Sequence, residues 1–198
     1  LPLGGAGEIG MNMSLYGFDG PWLMVDCGIC FGDDRTPGID VMVPDIRFLE
    51  KIGDSLLGIV LTHAHEDHLG AVPYLWDKIG CPVYATPFAS GLLRRKLSEV
   101  GLEARVPLRE IPCGGGVEIG PFDIEFIPLA HSVPETQALA IRTPVGRVLH
   151  ATDWKLDPAP MLGPATDEAA LRRVGDEGII ALMCDSTNVL VEGTSGSE

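Results

Sequence analysis

The sequence predicts a mixed fold of the α/β (α+β) class, and three observations support this prediction. Hydrophobic residues make up 45% of the 198 residues, which is enough for one substantial core. The 25 glycines and 16 prolines supply many turns. Short apolar runs of strand length also alternate along the chain with stretches of helical pattern. No apolar run approaches the ~18 residues that a transmembrane helix needs, so we expect no membrane association.

The first predicted elements are two strands, at 11–16 and 22–26, which form a hairpin through a turn at 18–21. The stretch from Gly5 to Gly10 has the GxGxxG spacing of a dinucleotide-binding loop. That function requires a strand before the glycines and a helix after them, whereas a strand follows here. We therefore interpret the stretch as a glycine turn that binds no dinucleotide.

The second strand ends at Asp26, a carboxylate that needs a partner if it is buried. A neighbouring metal-binding loop would provide one. Cys27 and Cys30 follow with CxxC spacing, but no second CxxC is present and no helix begins at Cys27 to lower its thiol pKa. We predict structural thiols. The odd number of five cysteines is typical of a reducing cytoplasm and not of a disulfide framework.

Periodicity and turn residues predict the remaining elements in order. They are a turn-rich stretch at 31–43, a short helix at 44–52, strand 56–61, a helix from 69 to about 79, strand 83–85, helix 87–100 capped by Thr86, strands 117–119 and 123–129, a hairpin of 138–142 and 147–151, a helix from 167 to about 174 capped by Thr166, and a buried strand at 179–184.

The chain is organised around one polar stretch, Thr62 to His68, which follows the apolar strand 56–61. It holds three of the five histidines and one aspartate, a combination typical of metal sites. His63 and His65 alternate, so in an extended loop they project to the same side. Asp67 and His68 come after the chain turns and can face a second ion.

Four other polar residues also lie just past predicted strands, at the position where a layered sheet builds its active site. These residues are Asp26, His131, Asp153 and Asp185. A single loop histidine such as His131 is, taken alone, more often an ordinary residue than a ligand. His150 lies inside a strand pattern, and we interpret it as structural.

The net charge of −14 reduces the expectation of a nucleic-acid partner, because phosphate contacts normally use Lys and Arg. Bound divalent metals or a basic partner domain would offset part of this charge. The charge therefore weighs against a polynucleotide substrate without excluding one.

The histidines and aspartates, in this order, resemble the metallo-β-lactamase fold. Further motifs are similar to the ribonuclease J family of its β-CASP branch. These motifs are Gly4-Gly5-x-Gly7-Glu8-Ile9-Gly10-x-Asn12, Val25-Asp26-Cys27-Gly28, Pro44-Asp45-Ile46, Leu61-Thr62-His63-x-His65-Glu66-Asp67-His68-Leu69-Gly70-Ala71, His131-Ser132-Val133-Pro134-Glu135-Thr136 and Asp185-Ser186-Thr187-Asn188. The resemblance implies an αββα sandwich, two Zn²⁺ ions with Mn²⁺ as an alternative, and hydrolysis of RNA phosphodiesters, both 5′-to-3′ exonucleolytic and endonucleolytic, in the cytoplasm.

The same resemblance implies a role for each matching residue. His63, His65 and His131 correspond to ligands of one zinc, Asp67 and His68 to ligands of the other, Asp153 to the bridging carboxylate, Asp185 to an acid that supports the active site, and Asp26 to an acid that orients the histidine loop. Asp67 or Asp153 would steer the nucleophile. Thr152 departs from the pattern, because the family resemblance implies Gly before the bridging aspartate.

The resemblance also predicts the domain organisation and the partners. Residues 1–184 would form the metallo-β-lactamase core, and 185–198 would be a junction leading into a β-CASP domain that this sequence lacks. We expect the sandwich to be incomplete at its C-terminus, and one zinc to lack a histidine supplied from beyond the junction. The isolated chain would then be a weak enzyme. The expected partners are single-stranded, 5′-monophosphorylated RNA and further copies in a homo-oligomer.

Three alternatives remain open at this point. Another hydrolase of the same fold, acting on a thioester or a lactone, would share the metal ligands but not the motif from Asp185 to Asn188. A tRNA 3′-processing nuclease would lack the N-terminal glycine-rich stretch. A metal-binding scaffold without catalytic activity would bind metal but show no turnover.

Overall fold

A computed structural model of the chain describes residues 1–193, 196 and 197. The chain divides into two compact units, Leu1–Glu110 and Ile111–Glu198, and each is described by itself. The predicted boundary at residue 184 stays a prediction, and residues 194, 195 and 198 of the predicted junction lie outside the described residues. Within the described part of the chain, no helix has both the length and the apolar character needed to cross a membrane.

The first unit contains eight strands, four α-helices and a 3₁₀ turn at Gly53–Ser55. The strands are β1 (Pro2–Gly4), β2 (Met13–Gly17), β3 (Trp22–Val25), β4 (Cys30–Phe31), β5 (Val41–Met42), β6 (Leu56–Val60), β7 (Val83–Ala85) and β8 (Leu108–Glu110). The helices are α1 (Leu49–Ile52), α2 (Glu66–Leu69), α3 (Val72–Ile79) and α4 (Pro87–Glu99). Six strands form one sheet in the order β1-β2-β3-β6-β7-β8, while β4 and β5 form a separate pair.

The order of this sheet brings two strand ends together. Strand β3 pairs with β6 in parallel, with Val25 opposite Val60. Both strands are largely buried and nearly continuous in apolar residues, as is usual for parallel strands in the middle of a sheet. Since parallel strands end at the same edge, the residues that follow β3 and β6 become neighbours.

The N-terminal glycines form a turn, as the sequence predicts. Gly5, Gly7 and Gly10 have φ values of +81°, +80° and +87°, in the left-handed region that glycine tolerates without strain. The turn joins β1 to β2, which pair in antiparallel orientation. A strand and not a helix follows the glycines, so the predicted glycine turn is confirmed, while the absence of dinucleotide binding stays a prediction.

Helix α4 packs one apolar face into the core of the first unit. Ala89, Leu93 and Leu97 recur every four residues and are fully buried. Pro87 occupies the first helical position, as predicted. Thr86 is the residue before the helix, but its side chain makes no capping hydrogen bond, so the predicted side-chain cap is wrong. Its buried hydroxyl has no hydrogen-bond partner among the described residues.

In its described residues, the second unit contains five strands and one helix. They are β9 (Gly116–Ile119), β10 (Phe122–Pro128), β11 (Gln137–Thr143), β12 (Gly146–His150), α5 (Glu168–Asp176) and β13 (Ala181–Met183). The sheet order is β13-β12-β11-β10-β9, and only β12 and β13 are parallel. A small core forms where Val174 of α5 packs among residues that include Ile127 and Leu149.

Two predictions in the second unit are wrong. The cap of α5 is Asp167, whose carboxylate accepts a hydrogen bond of 2.9 Å from the backbone N–H of Ala170. Thr166 does not cap the helix because its hydroxyl accepts from the Ala130 N–H and donates to the Lys155 carbonyl. The last strand, predicted to be buried, is an edge strand with Leu182 57% exposed.

Candidate metal centre

Asp26 anchors the polar stretch that follows β6. Its backbone N–H continues the sheet by donating to the Val60 carbonyl at 2.9 Å. Its carboxylate accepts from the Thr62 N–H at 2.8 Å and from the Thr62 hydroxyl at 2.9 and 3.0 Å. Asp26 is 1% exposed and has a φ of +61°. A buried aspartate in the left-handed region is held there by its contacts, and here they link the ends of two strands.

The same carboxylate fixes the ring of His68. Nδ1 of His68 lies 2.8 Å from Oδ2 of Asp26, and both residues are buried. A carboxylate can only accept, so Nδ1 carries the proton and donates it. In the neutral ring this leaves the lone pair on Nε2, which is the form that a metal ligand requires. The predicted orienting role of Asp26 therefore has a direct structural basis.

Asp67 lies beside this Nε2 atom. Its Oδ2 is 3.5 Å from Nε2 of His68, and the side-chain N–H of Asn12 donates to the same oxygen at 3.2 Å. Burial raises the pKa of Asp67, whereas the neighbouring His68 ring, in its protonated form, lowers it by more than burial raises it. Asp67 and His68 belong to helix α2, which starts at Glu66, so they sit on a helical turn and not in an irregular loop.

His63 and His65 form a second pair of donors in the first unit. Nε2 of His63 lies 3.1 Å from Nδ1 of His65, as the alternation in the sequence predicts. Nδ1 of His63 lies 3.0 Å from the Thr62 hydroxyl, the group that also bonds Asp26. His63 is fully buried, whereas His65 is half-buried. Two ring nitrogens this close together can share a proton or bind one cation.

In the second unit, His131 and Asp153 lie next to each other. Nε2 of His131 is 3.6 Å from Oδ2 of Asp153, and both residues are half-buried. His131 follows β10 and Asp153 follows β12, and Ala130 forms an isolated β-bridge with Lys155. The proximity of Asp153 supports the hypothesis that His131 is a metal ligand. The position of His131 in the sequence did not support it by itself.

Thr152, the residue before Asp153, has an unfavourable backbone conformation. Its φ is +49°, in the left-handed region that is costly for a β-branched residue. Its carbonyl accepts a hydrogen bond of 3.1 Å from the Asp185 N–H. The chain therefore holds a β-branched residue in a backbone conformation that glycine adopts more easily.

Asp185 lies near this loop through its backbone, and its carboxylate has local partners. The carbonyl of Asp185 accepts from the indole N–H of Trp154 at 3.3 Å. Its carboxylate accepts from the N–H and the hydroxyl of Thr187 at 2.8 and 2.5 Å. These contacts make Asp185 a turn-forming residue next to Asp153, and its active-site role stays a prediction.

Asn12 is a residue to which the sequence assigned no role. Its side-chain N–H groups contact Oδ2 of Asp67 at 3.2 Å and Nε2 of His68 at 3.1 Å. Its backbone N–H donates to the Asp67 carbonyl at 2.9 Å, and its own carbonyl accepts from the Gly28 N–H at 3.0 Å. The only signal in the sequence was its position at the end of the glycine-rich motif.

The cysteines behave as the interpretation of structural thiols requires. All five are free, and Cys27 and Cys81 are buried. Burial raises the pKa of Cys27 and raises that of Cys81 to about 12, so both stay protonated and unreactive near neutral pH. The thiols of Cys113 and Cys184 are exposed.

We therefore expect a thiol reagent at pH 8 to label Cys184 quickly in the folded chain, and Cys113 more slowly because partial burial raises the pKa of its thiol. Cys27 and Cys81 should be labelled only after denaturation, because their thiols are protonated and shielded from solvent. Mass spectrometry of the digested protein, with and without denaturant, provides the measurement. Rapid labelling of Cys27 without denaturant would contradict the structural interpretation and favour a redox role for the CxxC spacing.

The donor groups of these histidines and aspartates are imidazole nitrogens and carboxylate oxygens. His63 and His68 are buried and the other donors are half-buried, and Asp26 holds the proton of His68 on Nδ1, away from Nε2. This set suits divalent cations of borderline softness better than Ca²⁺, which takes only oxygen ligands. The chain thus carries a His/Asp cluster of the kind that binds a divalent metal ion.

Comparisons with known proteins give the relatives of this chain. A family model described as the metallo-beta-lactamase superfamily matches residues 7–173. Ribonuclease J of Sinorhizobium meliloti is 48% identical over 202 residues, which cover 100% of this chain and 36% of that protein. Ribonuclease J of Helicobacter pylori strain 26695 is 39% identical over 198 residues, covering 100% and 29%. A crystal structure of a protein of unknown function from Enterococcus faecalis V583 has a TM-score of 0.65 at 17% identity, covering 96% of this chain and 50% of that one.

These similarities confirm two predictions. The family model and the solved structure confirm the predicted fold class, with mixed helices and strands. The resemblance to ribonuclease J, predicted from motifs, extends over the whole chain. The chain spans about a third of the length of the curated relatives that it matches.

Proposed function

The chain belongs to the metallo-β-lactamase superfamily, and we propose that it forms the metal-binding region of a zinc-dependent ribonuclease of the ribonuclease J type. The observation that carries this proposal is the His68–Asp26 pair, which prepares a metal-ligand nitrogen beside Asp67. The RNA substrate comes from the relatives, since the chain is 48% identical over its whole length to a ribonuclease J.

The proposed centre holds two Zn²⁺ ions, with Mn²⁺ as the alternative. The family resemblance supports the assignment of His63, His65 and His131 to one ion, Asp67 and His68 to the other, and Asp153 to both. The donor chemistry fits zinc, which binds imidazole and carboxylate. The ions would supply activation of a water molecule and neutralisation of negative charge on the phosphoryl oxygens.

The chain's own residues prepare this chemistry. Asp26 keeps the proton of His68 on Nδ1, so that Nε2 is available as a ligand. Asp67 lies beside Nε2 of His68, and its carboxylate can accept the proton of an attacking water or orient it. We assign the same catalytic role to Asp153. We assign a supporting role to Asp185, because its backbone N–H bonds the Thr152 carbonyl in the loop that carries Asp153.

The substrate is proposed to be single-stranded RNA with a 5′-monophosphate, cleaved by 5′-to-3′ exonucleolytic and endonucleolytic hydrolysis. We also propose a homo-oligomer in the cytoplasm. The five free cysteines support a reducing compartment. The excess of acidic residues, 28 against 14 basic ones, implies that basic surface for RNA comes from outside these residues or from bound metal.

The proposed function is tested by comparing the hydrolysis of RNA, a thioester and a lactone, and by the effect of one variant, Asp67→Ala. We expect zinc- or manganese-dependent hydrolysis of 5′-monophosphorylated RNA to fall by at least about a hundredfold in Asp67→Ala, because losing two-metal activation costs several kcal/mol. Asp77→Ala is the matched control, since Asp77 makes an exposed ion pair with Arg105 that contributes little to stability.

Each other outcome identifies a different function. Faster hydrolysis of a thioester or a lactone than of RNA would favour another hydrolase of the superfamily. Bound metal without turnover of any of the three substrates would favour a scaffold. RNA hydrolysis that survives Asp67→Ala would place the activity in a contaminant or elsewhere in the chain.

A further inference from the structure

Asn12 makes four contacts, and three of them are with Asp67 and His68. Its two backbone groups bond the Asp67 carbonyl and the Gly28 N–H, as described above. Its carboxamide nitrogen donates to Oδ2 of Asp67 and to Nε2 of His68, at 3.2 and 3.1 Å. The nitrogen must face these atoms, because the amide oxygen would repel the carboxylate. An N–H donor thus stands at the point where two proposed metal-ligand atoms converge.

The chemistry of His68 decides what this donor does. Neutral imidazole has one acceptor lone pair, and the bond from Nδ1 to Asp26 places that lone pair on Nε2. The lone pair can accept the Asn12 N–H or bind a cation, but it cannot do both. A metal ion that uses His68 must therefore break the hydrogen bond from Asn12.

We infer that the Asn12 carboxamide is a placeholder for the metal ion, which satisfies Asp67 and His68 in the metal-free chain and turns away when metal binds. The backbone contacts of Asn12 do not involve the ligand atoms, so only its side chain has to rotate. Asn12 is half-buried, which leaves solvent accessible to the rotated carboxamide. The inference rests on the proposed metal at Asp67 and His68 and adds to it a residue that opposes binding.

A placeholder and a support for the bound metal predict opposite results. Removing a placeholder destabilises the metal-free chain but strengthens metal binding, because the ion no longer breaks hydrogen bonds. A neutral hydrogen bond corresponds to up to about tenfold in an equilibrium constant. We expect Asn12→Ala to bind Zn²⁺ at this site up to about tenfold more tightly than the wild-type chain. Its melting temperature in a chelator should be lower than that of the wild type.

Asn12→Asp tests the same idea more severely. The new carboxylate would repel Asp67 in the metal-free chain and attract a cation, while keeping the shape of asparagine. We therefore expect the order of zinc affinity to be Asn12→Asp, then Asn12→Ala, then wild type, and the order of melting temperature without metal to be the reverse. Glu8→Gln is the control, because it lies in the same glycine-rich stretch and keeps an acceptor for the Gly5 N–H.

The experiment is a zinc titration of the 198-residue chain against a chromophoric chelator, with melting curves in EDTA and in zinc. The quantity to compare is the affinity for the zinc ion that the wild-type chain binds and the Asp67→Ala variant does not. Unchanged or weaker zinc binding in both Asn12 variants would overturn the inference while leaving the proposed function intact. A wild-type chain with no zinc equivalent sensitive to Asp67→Ala would instead remove the proposed metal site, and the inference with it.

Discussion

Replacing Gly28 with alanine is expected to destabilise the first unit and to abolish zinc binding at Asp67 and His68. A Cβ atom at position 28 would lie 1.6 Å from the carbonyl oxygen of Asp67 and 2.7 Å from the backbone nitrogen of His68. Both neighbours are backbone atoms, so a rotamer change cannot relieve the overlap. The helix α2 would have to move, at a cost of about 3 kcal/mol or more.

The close approach at Gly28 exists because the chain clamps the ligand-bearing turn from one side. The backbone N–H groups of Cys27 and Ile29 donate to the carbonyls of His68 and Glu66 at 2.7 and 3.0 Å. These bonds hold α2 directly against the strand end that carries Asp26. Glycine is needed at the centre of the clamp, because any side chain there would push apart the two parts that the bonds join.

Gly91→Ala is the matched control for this prediction. Gly91 lies inside α4, where a Cβ atom would meet nothing within 4 Å. Since alanine is the better helix former, this variant should gain about 0.5–1 kcal/mol. Urea unfolding and zinc stoichiometry of both variants provide the measurement. A Gly28→Ala chain that unfolds at the wild-type midpoint and retains its zinc would show that the clamp is not required.

Local patterns predicted most of the individual elements. They did not predict every strand pair or the residue that caps α5. Strand β6 was predicted from its apolar run, and α4 from the apolar period and Pro87. The pair β4–β5 was missed because each strand is two residues long, too short for any period to show. The sequence predicted Thr166 as the cap of α5, whereas Asp167 is the cap, because both residue types are good caps. Only tertiary contacts decide which of the two side chains is available to cap the helix.

The candidate site was predictable to the extent that its residues follow strands. Asp26 was identified because it ends an apolar strand, and its contact with His68 follows from the parallel pairing of β3 and β6. The contact of Asn12 with Asp67 spans 55 residues and depends on where the glycine turn returns to the sheet. Such a position has no signature in local sequence, so Asn12 was seen only in the structure.

Asp26→Asn is expected to weaken zinc binding at His68 by up to about a hundredfold while leaving the chain folded. The Thr62 N–H is a fixed donor, so the oxygen of the new carboxamide would face it. The amide nitrogen would then face Nδ1 of His68, where two donors cannot coexist. The ring would move its proton to Nε2 to relieve this conflict. The nitrogen that should bind the metal would then carry a proton.

The size of this effect follows from two separate terms. Loss of the charged acceptor at a buried pair should lower the free energy of unfolding by about 1–3 kcal/mol. Loss of an orienting partner of a metal-ligand histidine typically lowers metal affinity by about 10–100-fold, and a wrong tautomer places the result at the upper end of that range. RNA hydrolysis should fall in parallel with the bound zinc.

Asp19→Asn is the control for Asp26→Asn. It separates the effect of the His68 tautomer from any effect of the substitution on backbone conformation. Asp19 also adopts a left-handed conformation, with φ +49°, but it lies exposed in the turn between β2 and β3. Asparagine tolerates this conformation, so any backbone effect of the substitution should appear equally in both variants. Nitrogen NMR of the imidazole rings reports the tautomer directly, alongside zinc affinity from chelator competition. If Asp26→Asn keeps both the proton on Nδ1 of His68 and wild-type zinc affinity, Asp26 does not orient the ligand. Its buried carboxylate would then serve only to join the two strand ends through Thr62.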